Sequence, residues 1–475
     1  MPCVHHAEPE AQAGPPPSPR RRSVPSGGRE PGRGGLAIRV AVLILIGAAL
    51  VPCPGQARAS SLLPTATAAV GDPAPGPDAG GSDLPRIDVY TMGPGEELFS
   101  RFGHAAICVT DEASRMGRCY NYGTADFSTP GPLTWNFLRG RAMFWVSVAP
   151  RPLMEALYRR EDRTLYRQRL PLSPEATRRL IATLHEADVR ERTFYRYHHF
   201  SDNCTTRVRD LIDAATDGAL RRERQAPGGQ TDPPLRRYVH RGFTGETALL
   251  TLTDLVLGRA VDRPTTRWQG MFLPDVLRAE LEARLGARPE VVYTRQAPLP
   301  DELAASPSLA DLGAPARGAG WLLVLLGGGL CALAVRWPRL GRVLTGLLLG
   351  GLGLLVWGLI AAAALPELRY NEVALVCWPT DLALLWLPPR PLARYLQLRL
   401  LALLACALAA AAGLLVQPLG PVLGLCALPL LVQWRAARRV RDERALAGPA
   451  HHRPGGQAAG GDPLADRAVG RGGAG

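Results

Sequence analysis

Apolar residues fall along this chain in three patterns, and each predicts a different kind of structure. Between residues 86 and 170 they come in short runs broken by turn residues: Ile87–Met92, Ala105–Thr110, Arg118–Tyr122, Met143–Ala149 and Thr164–Leu170. Runs of this length and alternation read as strands. The spacing changes at Ser173-Pro174-Glu175, where Ser173 as a cap and Pro174 in the first turn start a helix to about Ala187. Another helix begins at Asn203 or Cys204 and runs to about Ala215. An antiparallel meander with helices beside it predicts an α+β domain, and residues 86–318 are long enough to bury one core.

The second pattern is continuous. Beyond Trp321 lie five hydrophobic segments, near 319–335, 343–365, 373–389, 400–416 and 418–434. They predict an all-α transmembrane bundle of about five helices, the third and fifth short and interrupted by Pro379 and Pro429, so re-entrant or tilted. The third pattern is a single 12-residue run, Val40–Val51, preceded by Arg39 and followed by Ala57-Arg58-Ala59. It reads as a secretory signal peptide cut after Ala59; the run is short for an uncut anchor, and the bulky Pro52 argues against lipoprotein processing at Cys53. Residues 1–34, with 8 Pro and 5 Gly, predict disorder, so 1–59 is a disordered extension and signal peptide. Residues 60–85 read as a linker and 435–475 as a disordered cytoplasmic tail.

Charge changes this picture only through its placement. The 475 residues carry 55 basic side chains, all of them arginine, against 42 acidic ones, for a net charge of +13. Residues 86–318 hold only +4 of it, which is no nucleic-acid footprint. In the apolar block, three arginines follow segment one (Arg336, Arg339, Arg342), three follow segment three (Arg390, Arg394, Arg399) and five follow segment five. The loop after segment two has Arg369 alone, and the loop after segment four has none. Eleven against one, in alternation, predicts a multi-pass inner-membrane protein with residues 86–318 on the periplasmic side.

Two residues carry chemical interest. Cys204 lies in Asp202-Asn203-Cys204-Thr205-Thr206-Arg207, where Asp202 or Asn203 can cap the helix and leave the thiol in its first turn. There the helix dipole, the free N–H groups and Arg207 one turn on favour thiolate, and the same N–H groups can hold an oxyanion. His104 opens an apolar strand, so its imidazole is rigidly aimed; a cysteine–histidine pair needs only spatial adjacency. By composition alone, such a cysteine is most often a small core residue and such a histidine a satisfied hydrogen-bonder. His198 and His199 are rival bases, and Cys108 and Cys119 are candidates for a cross-strand disulfide. No Cys/His cluster has zinc spacing, and neither HExxH nor a P-loop occurs, so no metal or nucleotide cofactor is expected.

Tyr90-Thr91-Met92-Gly93-Pro94-Gly95-Glu96-Glu97-Leu98-Phe99-Ser100-Arg101-Phe102-Gly103-His104 resembles the Lnb-type lipoprotein N-acyltransferase family. So do Tyr120-Asn121-Tyr122-Gly123-Thr124, Phe137-Leu138-Arg139-Gly140, Asp202 to Asp210, Leu257-Gly258 with Asp262, and Met271-Phe272-Leu273-Pro274-Asp275. These cover roughly 87–280 in order; the N-terminal extension has no counterpart. The resemblance implies a circularly permuted papain-like (NlpC-type) fold with His before Cys, as in lecithin retinol acyltransferase. It implies His104 as base and Cys204 as nucleophile, which demotes His198 and His199. It further implies acyl transfer from a phospholipid, through a thioester, to the N-terminal amine of a diacylated lipoprotein. Asn121, Asp202 or Asn203 are then candidates to orient the imidazole, and Arg139, Arg141 or Arg207 to meet lipid phosphate. The alternatives are a periplasmic cysteine hydrolase (a thioesterase or cell-wall peptidase) and a non-catalytic membrane scaffold.

Overall fold

Alternation of buried side chains within each strand decides how the N-terminal part folds. In the computed structural model, β1 (Arg86–Met92) places Ile87 and Val89 on one face and Tyr90 and Met92 on the other, and β2 (His104–Thr110) does the same with Ala105 and Ile107 against Ala106 and Cys108. Both faces are therefore covered. The structure describes residues 84–96, 100–111, 114, 116–126, 128–189, 194–222, 232–244, 246–298 and 320–446. The expected leader, its cleavage site at Ala59 and the linker lie outside these, apart from Leu84 and Pro85 at the linker's end.

Strand β3 (Gly117–Thr124) follows, then α1 (Pro130–Leu138), β4 (Met143–Pro150), α2 (Arg151–Arg160), β5 (Leu165–Arg169), α3 (Pro174–Val189), the short β6 (Tyr195–Arg196) and α4 (Cys204–Ala215). Helices α5 (Leu235–Gly242), α6 (Thr247–Val256), α7 (Arg267–Gly270) and α8 (Pro274–Leu285) precede the edge strand β7 (Pro289–Tyr293). Among the described residues the strands form one antiparallel sheet in the order β6-β4-β3-β2-β1-β5-β7. The five expected strands and the two expected helices are all present, and β1 to β4 form the expected meander. Helices α3, α4 and α8 cover one face through Leu180, Leu184, Val208, Ile212, Val276 and Leu281. Helix α2 covers the other through Met154. Cys108 and Cys119 are register partners on β2 and β3, and they form a disulfide.

The apolar block departs from five simple helices. It contains α9 (Trp321–Arg336), α10 (Pro338–Ala362), the short α11 (Pro366–Arg369) and α12 (Val373–Val376), a 3-10 turn at Pro379–Leu385, α13 (Pro389–Ala411) and α14 (Gly420–Leu446). Among the described residues three helices, Pro338–Ala362, Pro389–Ala411 and the Gly420–Glu443 part of α14, are long and apolar enough to cross a membrane, while α9 has only 16 residues. The third expected segment is broken because Pro379 has no N–H to continue α12. It lies against α10 where Gly350 and Gly353 leave room: a Cβ at Gly353 would come within 2.4 Å of the Trp378 backbone. Pro429 does not end α14, which continues to Leu446 into the expected tail, because Arg, Ala, Glu and Leu there are strong helix formers. Arg399 also differs from expectation. It is fully buried in the bundle, donating to Asp381 at 2.8 Å through both Nε and Nη2, with Trp378 stacked 4.3 Å away. The alternation of loop arginines therefore rests on ten residues, not eleven.

Sheet domain and bundle are tied together through two connections of the bundle. Gly258 N–H donates to the Glu367 carbonyl (2.6 Å) and Arg259 N–H to that of Tyr370 (2.8 Å). Asn371 Nδ2 donates to the Leu255 and Val256 carbonyls, and Gln417 Nε2 to that of Leu257. From the same 363–372 connection, Ala364 N–H donates to the Leu138 carbonyl, and Arg139 Nη1 donates to the Ala362 carbonyl at the end of α10, both at 3.0 Å. These connections, 363–372 and 412–419, are the two in which the sequence has one arginine or none.

Candidate active site

Cys204 is aimed by the cap of the helix it begins. Asn203 is the N-cap: its Oδ1 accepts the N–H groups of Thr205 (2.9 Å) and Thr206 (2.8 Å), and Thr206 Oγ1 accepts the Asn203 N–H in return. Asn203 Nδ2 donates to the carbonyls of His199 and Phe272, so the capping residue is itself bolted into the core. The half-buried thiol then meets the sheet where β2 begins and β3 finishes. It lies against the N–H of Ala105 and the hydroxyl of Thr205, the latter at 3.7 Å. Gly123, at φ +90°, makes room: a Cβ there would stand 3.2 Å from Cys204 Cβ.

His104, one residue before Ala105, is held on the opposite sheet face. Its ring stacks on Tyr158 of α2 with centroids 6.0 Å apart. Asn121 Oδ1, which makes no hydrogen bond among the described residues, lies near the imidazole and favours its protonated form. Burial outweighs this and, helped by the Arg163 charge, depresses His104 to about 3, so the ring is neutral. Burial likewise pushes the Cys204 thiol up, against the opposing pull of Thr205, the Ala105 and Thr205 N–H groups and Arg163. The sequence predicts thiolate there; in the structure desolvation outweighs the helix terminus. No hydrogen bond joins thiol and imidazole among the described residues.

The cation that acts on both groups is Arg163, which the sequence reading does not single out. It leaves α2 in the turn before β5, is 5 % exposed, donates through Nε to the Gly93 carbonyl (2.9 Å) and lies 5.0 Å over the Tyr158 ring. Its Nη2 is buried without a hydrogen-bond partner among the described residues. Arg207, expected to serve Cys204, instead grips Asp202 (Nε–Oδ1 2.5 Å, Nη2–Oδ2 2.8 Å) and lies 4.3 Å over Tyr195. Asp202 and Asn203 are thus engaged away from His104, and of the three candidate orienting residues only Asn121 faces the imidazole. Arg139 spends an N–H on Ala362, and Arg141 is exposed. His198 pairs with Glu367 at 3.4 Å; His199 packs between the rings of Phe102, Phe200 and Phe272, where burial lowers it to about 4. A cleft of about 850 Å³ is lined by Tyr122, Leu180, Asp202, Arg207 and Leu211, and neither Cys204 nor His104 lines it. The described residues hold no cluster of His, Cys, Asp or Glu able to bind a metal ion.

An antiparallel α/β domain in which a helix-borne cysteine and a strand-borne histidine both feel one buried arginine, joined to apolar helices of membrane-spanning length, defines a class: a membrane protein with a globular α/β domain. Residues 82–240 match the family described as the Lnb N-terminal periplasmic domain, so this part of the chain is of the Lnb type. No curated protein and no solved structure matches it.

Proposed function

We propose that this chain is a membrane-anchored thiol acyltransferase, moving an acyl chain from a phospholipid through a Cys204 thioester to the N-terminal amine of a diacylated lipoprotein. The observation that carries the reading is that Cys204 and His104 both lie within reach of the buried Arg163 charge, in a domain that matches the Lnb N-terminal periplasmic family. A neutral His104 is a base ready to take the thiol proton as Sγ attacks the ester carbonyl. The Ala105 and Thr205 N–H groups, already at Sγ, are placed to hold the oxyanion. The leaving lysophospholipid alkoxide takes the proton from His104. The lipoprotein amine then attacks the thioester, gives a proton to His104 and releases Cys204, which regains it. Histidine on a strand ahead of cysteine on a helix is the order a permuted papain-like domain requires.

The domain stands on the periplasmic side of the inner membrane in this reading. The ties from 363–372 and Gln417 support that orientation, since they put the arginine-poor connections beside the domain and the arginine-rich ends of α9 and α14 away from it. The chain then crosses the membrane several times. The test is expression of wild type and Cys204→Ala in a strain lacking lipoprotein N-acylation, with mass spectrometry of a lipoprotein's N-terminal peptide. One added amide-linked acyl chain, lost in Cys204→Ala, is expected. Shortened cell-wall peptides without that gain would replace the reading with a hydrolase, and no change in either would replace it with a scaffold.

A further inference from the structure

The sheet domain carries an apolar surface that the bundle does not cover. Helix α1 has its last turn hydrogen-bonded to the end of α10, through Ala364 N–H to the Leu138 carbonyl and Arg139 Nη1 to the Ala362 carbonyl. Trp135 lies three residues before Leu138 and four before Arg139, so the three share one helix face. Trp135 nevertheless stays 56 % exposed. Just beyond Gly140, which packs on Ala364 and Leu365, β4 begins with the same character. Ala142, Phe144 and Val146 are buried, while Arg141 and Met143 (45 % exposed) point outward and Trp145 is half-buried on that face. Phe194, 48 % exposed, meets Trp145 edge-on at 5.7 Å, and the exposed Arg196 is the register partner of Met143.

We propose that α1 and the start of β4 form an interfacial surface seated in the outer leaflet, with Trp135, Met143, Trp145 and Phe194 among the acyl chains and Arg141 and Arg196 at the phosphates. The proposal rests on the reading of α10 as a membrane span and not on the acyl-transfer chemistry. The position of the patch identifies lipid as its occupant. Helix α10 has 25 residues, about 37 Å at 1.5 Å per residue, which exceeds the hydrocarbon core. Its end at Ala362 therefore falls at the membrane boundary, and α1 is hydrogen-bonded to that end. Tryptophan and other apolar side chains beside arginine are the composition that boundary selects, rings at headgroup depth and guanidinium groups turned to phosphate. The surface would hold the domain at a fixed height above the bundle.

The test uses the full-length protein reconstituted in phosphatidylethanolamine–phosphatidylglycerol bilayers containing a phospholipid with a photoactivatable diazirine in its acyl chain. Peptide mass spectrometry then locates the label. Label on peptides spanning 130–145 as well as 338–362 is expected, and Trp135→Glu with Met143→Glu should cut the former at least fivefold and leave the latter unchanged. Label on 338–362 with none on 130–145 in wild type would overturn the interfacial surface alone, and would leave a protein partner or a second copy as its occupant. Absence of label from both peptides would overturn the membrane reading with it.

Discussion

Asn203→Ala removes the side chain on which the placement of Cys204 depends, and its cost can be worked from the contacts. Asn203 is 4 % exposed, so water does not replace what is lost. Oδ1 holds two first-turn N–H groups at 2.9 and 2.8 Å, and losing such a cap costs about 1 kcal/mol. Nδ2 serves the carbonyls of His199 and Phe272 at 2.8 and 3.0 Å, and each buried acceptor left short of a donor costs about 1 kcal/mol more. The total is about 3 kcal/mol, since the return bond from Asn203 N–H to Thr206 Oγ1 survives in alanine. For a domain of this size that is a drop of about 6–12 °C in Tm. The measurement is thermal unfolding of the full chain in detergent micelles, followed by tryptophan fluorescence. Asn203→Asp separates the two halves: it keeps the cap acceptor but turns a carboxylate onto two carbonyls, so it should be no milder than alanine. A Tm change below about 3 °C in Asn203→Ala, or full stability in Asn203→Asp, would refute the reasoning.

Arg163→Gln should slow alkylation of Cys204 by iodoacetamide near neutral pH and move its pH midpoint upward, because Arg163 is a charge that favours the thiolate; Arg163→Lys should restore part of the rate, with the Cys204 peptide read by mass spectrometry. His104 and His199 are lowered to about 3 and about 4, whereas an unfolded histidine titrates near 6.5. Below about 6.5 the unfolded chain binds protons that the folded one does not, so stability is fully present above that pH and is lost as pH falls towards 3–4. Tm measured from pH 7.5 to 4 should fall accordingly, with a shallower slope in His104→Gln. In the bundle, Asp381→Asn or Arg399→Met alone should destabilise by about 3–5 kcal/mol, and Asp381→Leu with Arg399→Met by much less, because only the single changes leave a buried charge unpaired. Thermal unfolding in micelles checks the order.

Whatever depends on neighbours in the chain was legible in the sequence, and what depends on strand pairing was not. The cap at Asn203 and the helix behind it follow from Asn-Cys-Thr-Thr alone, and β1 to β4 follow from short apolar runs. Arg163 was hidden for a physical reason. Glu161-Asp162-Arg163 looks like a solvated charge run, and the residue reaches the site only because β5 pairs with the far side of β1 and carries the preceding turn back over Gly93. Among 55 arginines no local signal marks it. Arg399 had a signal: Asp381 is the lone acid within the apolar segments, and a lone acid there needs a buried cation. Burial also reversed the expected charge state of the pair, since helix-end electrostatics can be read from sequence while desolvation depends on the whole fold.

The same non-local contacts explain how Cys204 is kept at a fixed place relative to the bundle. The segment before Cys204 is folded on itself, with His198 and Asp202 exchanging both backbone hydrogen bonds at 3.0 Å. At one end of that loop His198 meets Glu367 of the bundle; at the other Asn203 fixes the first turn of α4. Glu367 in turn lends its carbonyl to Gly258, where a Cβ would stand 2.3 Å from the Tyr370 carbonyl oxygen, so the two backbones meet only because that residue is glycine. Five residues thus separate His198, which meets Glu367 of the bundle connection, from Cys204 at the start of α4. A substitution at Gly258 should therefore be felt at Cys204: Gly258→Val must push 367–371 away, loosen the His198–Glu367 pair and broaden the positions open to the first turn of α4. Faster deuterium uptake at 198–206 in Gly258→Val, with uptake in β1 to β3 unchanged, is the expected result. Equal uptake at 198–206 in both proteins would show that the loop holds Cys204 without help from the bundle.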